Sequence, residues 1–518
     1  MREKLLKNAA GRMVPDHING QPVVPFKGIG KHMPAGFRHA PRLTSNIDYP
    51  ADGNKQVASL KEALIKAGLR DGMTLSTHHH FREGDLVANM VFDCASELGV
   101  KNLCWFPSAS FSCHAYLLKY LDDGTISHIE GSMNGPLGRY CSEGRMKKTA
   151  VLRSHGGRYQ AIQDGEVKID IAIIGAGCAD PFGNANGVNG PSASGSLGFA
   201  LGDAQYAERV IVLTDNLVPF PCIPWQIPGN YVDFTVKVDK VGIPEKIVSG
   251  TTEVTKSPDR LLIAELTARF CEEAGIIQDG FSFQAGAGGT ALSIGNFFGD
   301  IMRKKGIKAR FARGGSNKYL VSMLEEGLVE YILDGQTFDL DGVRSIRDNP
   351  RHVMTSPFSS YNYHSKGNFA SMVDVAILGA TEVDLDFNAN VVTHSDGYLL
   401  HGIGGWQNCL FSKNVILPLP LFRDRIPVII DRVTTLCGPG ELIDVIVTER
   451  GIAINPRRKD LMEKVKDSGL PLRTIRELKE EAEAICGRPQ KPVFTNKIVA
   501  AIKWVDGTVI DVVRAVSY

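Results

Sequence analysis

The stretch VDVAILGATEVDLDFNANV, residues 373–391, reads as a buried strand running into a polar loop, and IDIAIIGAGCADPFGNANGV, residues 169–188, repeats it. Aligning IDIAIIGA with VDVAILGA gives five identities in eight positions, the other three being Ile/Val or Ile/Leu exchanges. Asp170 falls on Asp374, and Asn184 and Asn186 fall on Asn388 and Asn390, at a constant offset of 204. Upstream, residues 60–107 and 262–313 follow one plan: amphipathic helix, Gly turn, Asp-Gly, short strand, loop, helix, then Gly-x-Lys and a strand. Asp71 there answers to Asp279. Downstream, AERVIVL (207–213) matches SKNVILP (412–418). Three blocks in one order at near-constant spacing indicate an internal duplication.

Length agrees with that reading. Single cores stop growing near ~250–300 residues, so a chain of 518 residues with 43% hydrophobic content is expected to form two domains of similar size. A net charge of +1, from 58 basic and 57 acidic residues, supplies no field to steer nucleic acid or an anionic membrane. The ten cysteines contain no C-x-x-C pair, so neither a zinc site nor a disulfide framework is implied, and they read as reduced thiols. The basic start, MREKLLKNAAGRMVPDH, has no apolar core of signal length, and no later run approaches the ~18 apolar residues of a membrane span. A soluble, cytoplasmic protein is expected.

Each half alternates helical periods with short apolar strands, among them 171–174, 209–213, 375–378 and 427–430. Continuous apolar runs suit strands covered on both faces, so the fold class is α/β: two homologous halves, each a mainly parallel sheet with flanking helices and the active site between them. The expected division is an irregular arm over 1–55, a first domain over 56–245 and a second over 246–518, joined within 232–258. Residues 57–67 set Val57, Leu60, Leu64 and Ala67 on one helical face. Thr474 and Glu477 form a capping box for a late helix that stops at Gly487.

In parallel sheets ligands gather beyond the carboxyl ends of strands, where helix N-termini and loop amides converge. FQAGAGGTALSIG puts Gly286, Gly288 and Gly289 between a strand and a helix start, leaving amides that can cradle a thioester or phosphate oxygen. LLHGIGGWQN offers Gly402, Gly404 and Gly405, followed by Trp406, Gln407 and Asn408. The plain alternative is that such glycines only make tight turns. In the first half STHHHFREGD takes the matching place, with His78, His79, His80 and Arg82. Consecutive side chains on an extended chain point to opposite sides, so three histidines make no metal face, and no metal site is read. A hydrogen-bonding cationic pocket for a polycarboxylate fits them, with Arg82 as a bidentate clamp; a solvated polar loop is the alternative. Gly175 and Gly177 imitate a dinucleotide fingerprint, but the third glycine is missing and Asp180-Pro181 stands there, which excludes a nicotinamide site. Glu382 and Asp384 alternate along one strand end and face one side, as an acid, base or nucleophile would, or as a loop cap.

The two halves, DGFSFQAGAGG, EVDLDFNANV, GIGGWQN and VTERGIAINPRR together resemble the coenzyme A transferase superfamily, in its acetate and 4-hydroxybutyrate branch. THHHFREGD, GAGCADPFGNANG and IPGNYVDFTVKVDKVGIP are similar to the citrate lyase alpha-chain family within it, a likeness that covers nearly all of the chain beyond the arm. The resemblance implies a transferase that replaces the acetyl group of an acetyl carrier, or of acetyl-CoA, by citrate, releasing acetate. Its implied partners are a beta chain that cleaves the citryl thioester and a gamma acyl carrier, and no cofactor is held by the chain itself. Gly288, Gly289 and Glu382 become catalytic candidates, and Gly286, Gly402, Gly404, Gly405, Gln407 and Asn408 candidates for the coenzyme A or carrier thiol. His78, His79, His80 and Arg82 are the expected citrate ligands.

The sequence also departs from that branch. Where those relatives carry a nucleophilic glutamate, this chain reads KARFARGGSNKYL, with Arg313, Ser316 and Asn317 and no carboxylate. Direct attack of citrate on the acetyl thioester through a mixed anhydride is therefore expected, with Arg313, Ser316 and Asn317 gripping citrate. The rivals are a conventional coenzyme A transferase for small carboxylates, a sugar-phosphate isomerase, which needs only one such half, and a non-catalytic scaffold.

Overall fold

The protein's structure is a computed structural model that describes residues 4–34, 50–247, 253–286, 288–364 and 366–517. Seven strands form the first sheet in the order Gln56–Val57, Phe234–Lys237, Arg209–Thr214, Ile171–Ala176, Thr74–Thr77, Leu103–Pro107, Ile126–Ile129, all parallel. Eight form the second: His352–Met354, Ile332–Thr337, Ala309–Ser316, Phe281–Ala285, Val375–Ile377, Val415–Pro418, Val445–Thr448, Gly451–Ile454, with only the last pair antiparallel. Six strands of each sheet share one order, so the duplication seen in sequence is a duplication of topology. Ile171–Ala176 and Val445–Thr448 are buried along their whole length, as strands between two helical layers must be. The flanking helices follow from local chemistry. Ser59 accepts the Glu62 N–H to start Leu60–Lys66, and Val87–Glu97 buries Val87, Val91 and Ala95 on one face.

The repeated strand-and-loop is held by the same polar network twice. Asp180 Oδ1 accepts the amides of Phe182 and Asn184, and Asp384 Oδ1 those of Asp386 and Asn388. Asn184 Oδ1 accepts Gly229 N–H at 2.8 Å and Asn388 Oδ1 accepts Gly440 N–H at 2.9 Å. Asn186 and Asn390 each cap two further amides, those of Val188 and Asn189 and those of Val392 and Thr393. Asp71 and Asp279 repeat as well, accepting from Lys101 and Lys308. A buried irregular loop must satisfy its amides internally, and these carboxylates and amides do so.

One expectation changes. Residues 427–430 do not join the large sheet: Ile426–Pro427 and Ile429–Ile430 belong to small ones, and Val445–Thr448 takes the expected place. One buried cluster crosses the 245/246 division, from Leu64 and Trp105 through Trp406 and Leu410 to Trp504, beside a cluster confined to the first half and another confined to the second. The C-terminal ribbon Phe494–Lys503/Val509–Val516 crosses back and pairs with Ala150–Leu152 of the first half. The described part of the arm forms two short hairpins, and Phe26 N–H donates to Val509 O. The helix expected after Thr474 spans Ile475–Cys486 with its capping box formed. Among the described residues no helix is long and apolar enough to cross a membrane.

Beneath the first sheet, Arg158 Nη2 donates to Asp203 at 2.6 Å, Ser76 donates to the same carboxylate, and His78 Nε2 lies 3.0 Å from it. Burial would raise the Asp203 carboxyl, but Arg158 and His78 outweigh it and hold the group well below the usual carboxylate range. Asp203→Ala is expected to destabilise by about 3–5 kcal/mol, because it strands a buried guanidinium. Urea unfolding at neutral pH measures this. The wild-type advantage is full above the unfolded-state carboxylate value of ~3.9 and falls away as the pH drops toward the folded one.

Candidate active site

A cleft of about 770 Å³ opens between the halves. The second sheet supplies most of it through its strand ends: Gln284 and Gly286, Gly314 and Gly315, Leu378–Thr381, the turn Gly402–Trp406 and the segment Arg423–Val428. The first half contributes His155 and Phe199. Its volume suits a substrate-sized ligand. The Gly404 and Gly405 amides donate to no protein group among the described residues, and the space over the Gly379 Cα is open. Gly404, at φ +63°, takes a left-handed conformation that favours glycine. His155 N–H donates to Gly404 O at 2.8 Å, tying the first half to this turn.

Expected and observed residues separate clearly. Gly286, Gly402, Gly404 and Gly405 line the cleft. Gly288 and Gly289 do not: Gly289 starts the helix Gly289–Lys305, and a side chain there would meet Thr255 N at 2.9 Å and Glu253 O at 3.0 Å. Ala287 lies outside the described residues. Gln407 turns away to donate to Cys437 O, and Asn408 Oδ1 accepts the Gly156 amide at 3.0 Å. Glu382 is buried behind the lining, where it accepts from Asn390 and twice from Thr434. Of the two readings of Glu382 and Asp384, the geometry is that of loop anchors. Burial raises both carboxyls.

The expected citrate ligands also sit behind the walls. His78 faces Asp203, and His80 Nε2 meets Gly175 O at 2.7 Å. His79 is bound to Ser108 and, at 2.9 Å, to Gln336, whose side chain borders the cleft. Burial holds His79 well below its ordinary value, helped by His155 and Arg82, and burial and His78 bring His80 to about 4. Burial thus disfavours the charged form of His79 and His80, and both rings are turned toward protein groups. Arg82 lies 4.7 Å over the Phe338 ring, and burial lowers it only to about 10. Arg313 is stacked 4.5 Å over Tyr361 and donates to Gln284 beneath the floor. Ser316 donates to Asp334 and Asn317 caps the helix Lys318–Glu325.

Other charges face the cleft instead. Arg423 donates to Thr381 O at 2.8 Å and Ala380 O at 2.7 Å, and burial together with nearby Arg260 lowers its guanidinium. Arg260, Arg423, His394 and His401 line the cleft beside one carboxylate, the exposed Asp424. No spacing rule marked these residues. For His155 there was a signal: RSHGGR follows an apolar strand and places two glycines at a helix start, as the other active loops do. Among the described residues one set of metal-ligand types converges elsewhere, Cys104, His128 and Glu130, but Arg153 Nη1 lies 2.6 Å from Glu130, where a cation would have to displace it.

Known proteins match this chain closely. The family model for the citrate lyase alpha subunit matches residues 53–516. The citrate lyase alpha chain of Escherichia coli (strain K12) is 41% identical over 485 residues, 93% of this chain and 95% of that one. That of Klebsiella pneumoniae is 42% identical over 461 residues, 89% and 91% of the two chains. A crystal structure described as the alpha subunit of citrate lyase in complex with citrate, from Streptococcus mutans, superposes with a TM-score of 0.93 at 41% identity, covering 99% of this chain and 100% of that one. The malonate decarboxylase alpha subunit of Acinetobacter baumannii shares the fold at a TM-score of 0.59 and 16% identity, covering 84% of this chain and 93% of that one. The duplicated sheets and the cleft between them are thus those of a known group, and the chain belongs to the citrate lyase alpha-subunit family.

Proposed function

We propose that the chain exchanges acetate for citrate on a thioester: the acetyl group on an acyl carrier subunit, or on acetyl-CoA, is replaced by citrate, and acetate is released. A carboxylate oxygen of citrate attacks the acetyl carbonyl carbon, and the C–S bond breaks as the thiolate leaves with the bonding pair. This gives an acetyl–citryl anhydride. The thiolate then attacks the citryl carbonyl carbon, and acetate departs with the C–O pair. One thioester replaces another and no proton is taken up overall, so the exchange calls for no nucleotide. The barrier lies in gathering negative charge on a carbonyl oxygen away from water, which fixed donors lower.

The observation that carries this reading is the composition of the cleft lining: unpartnered glycine amides at 404 and 405 in one cleft with Arg260 and Arg423, and Asp424, exposed, as its carboxylate. The amides suit the developing oxyanion, and the two guanidiniums suit the remaining carboxylates of citrate. The citrate described with the Streptococcus mutans relative supports the substrate. We assign Glu382 to the loop rather than to a covalent intermediate, and we place beta and gamma subunits beside the chain as the citryl-cleaving and carrier partners.

Incubation with acetyl-CoA alone, then hydroxylamine or borohydride and peptide mass spectrometry, is expected to leave every glutamate unmodified while addition of citrate yields a citryl thioester. A derivatised Glu382, or any modified glutamate, defeats direct exchange. Arg260→Gln is expected to raise the KM for citrate roughly 10- to 100-fold, the ~1.5–3 kcal/mol of a hydrogen bond to a charged group, with little change for acetyl-CoA. Steady-state kinetics on both substrates reads it out.

A further inference from the structure

His155 occupies a position that the exchange reading leaves without a task. It is the first residue of the helix His155–Gln163, started by Ser154, whose side chain accepts the Gly157 amide. Its backbone N–H holds Gly404 O, and its Nε2 lies 3.8 Å from where a Gly404 Cβ would stand, so the ring overhangs the glycine turn. Gly156 makes this approach possible: a Cβ there would fall 2.4 Å from Asn408 Nδ2 and 2.5 Å from Tyr361 O. Asn408 sits on the short helix Trp406–Cys409 that follows the turn, so its bond to the Gly156 amide locks His155 and the turn in one register.

The ring is fixed by packing rather than by hydrogen bonds. It stacks on His79 with centroids 5.4 Å apart and planes 11° apart, and meets Phe199 at 4.5 Å. Neither ring nitrogen has a hydrogen-bond partner among the described residues, whereas both nitrogens of His79 do. A wedged imidazole with unpartnered nitrogens, bordering a cleft beside two unpartnered amides, is aimed at a ligand.

We infer that the His155 imidazole donates a ring N–H to the carbonyl oxygen of the bound thioester, completing with the Gly404 and Gly405 amides the donor set for the oxyanion. This rests on the acyl-exchange reading and gives that site its third donor, from the opposite half of the chain. As the citrate C–O bond forms, the C=O pair moves onto the oxygen and the hydrogen bonds shorten; when the C–S bond breaks, the pair returns. No proton is transferred. The charged and titratable neighbours are Arg158 on its own helix, His79 on the loop it stacks against, and Tyr361, with Arg313 beneath, from the second half. Burial, with Arg158, brings His155 to about 3, so it stays a neutral donor at working pH.

The test uses the full chain with acetyl-CoA and citrate, comparing wild type, His155→Phe, which keeps the ring without the donor, and His155→Gln, which restores an N–H. His155→Phe is expected to lower kcat roughly 10²- to 10³-fold, as loss of one oxyanion donor does, with the KM for citrate nearly unchanged. His155→Gln should recover most of the loss, and wild-type kcat should show no histidine limb near ~6.5. A His155→Phe enzyme within about threefold of wild type, or one altered only in KM, overturns the inference. Should His155→Phe unfold, His155→Gln decides: full loss of kcat in a folded His155→Gln protein also overturns it. A wild-type chain that forms no citryl thioester sinks the exchange reading itself, whereas an active wild type matched by His155→Phe sinks only the donor.

Discussion

A loop enclosed between packed layers has to find a partner for every backbone amide, and that requirement shapes this protein from both halves inward. Asp180 and Asp384 each gather three backbone amides and one asparagine side chain, and the asparagines reach on to the Gly229 and Gly440 turns. These networks make the strand-end loops rigid without making them regular. Rigid, irregular loops at the carboxyl ends of parallel strands are what leave some amides unused, and the unused ones at Gly404 and Gly405 border the cleft.

Duplication produced two such ends, and only one stays open. Gly175 and Gly379 are equivalent positions, yet a Cβ on Gly175 would strike Phe81 and Val87 at 2.7 Å, whereas the same atom on Gly379 meets nothing within 4 Å. In the first half Phe81 plugs the strand end, the His78–His80 run is drawn inside, and the sheet becomes a platform. It carries His155 and Phe199 to the face of its sister. A cleft formed this way has one wall of polar main chain and another of fixed rings.

Much of the fold was legible because apolar runs, Gly stops and Asp-Asn pairs recur at nearly one offset, and the sheet orders reproduce that recurrence over six strands. The apolar run at 427–430 misled because four apolar residues suit a cleft-lining segment as well as a central strand. The pairing of residues 494–516 with 150–152 was invisible, since alternation along a strand says nothing about a partner more than three hundred residues away. In the site, the glycine turn at 402–405 could be read because missing side chains are a local property. Arg260 and Arg423 could not, because facing a common space depends on how the halves dock, and His155 was marked only by the glycine pair that follows it. The histidine run shows a related limit: residue type says nothing of burial, which disfavours charge on His79 and His80.

The ribbon that returns from the end of the chain to pair with Ala150–Leu152 has a consequence during synthesis. Nascent chains ordinarily complete domains from the N-terminus onward. Here the first half lacks two of the three strands of one of its sheets until nearly all of the second half has left the ribosome. Its maturation therefore waits on residues 494–516, and a chain not yet extended that far exposes the apolar edge that Val499, Ala500 and Ile502 later cover.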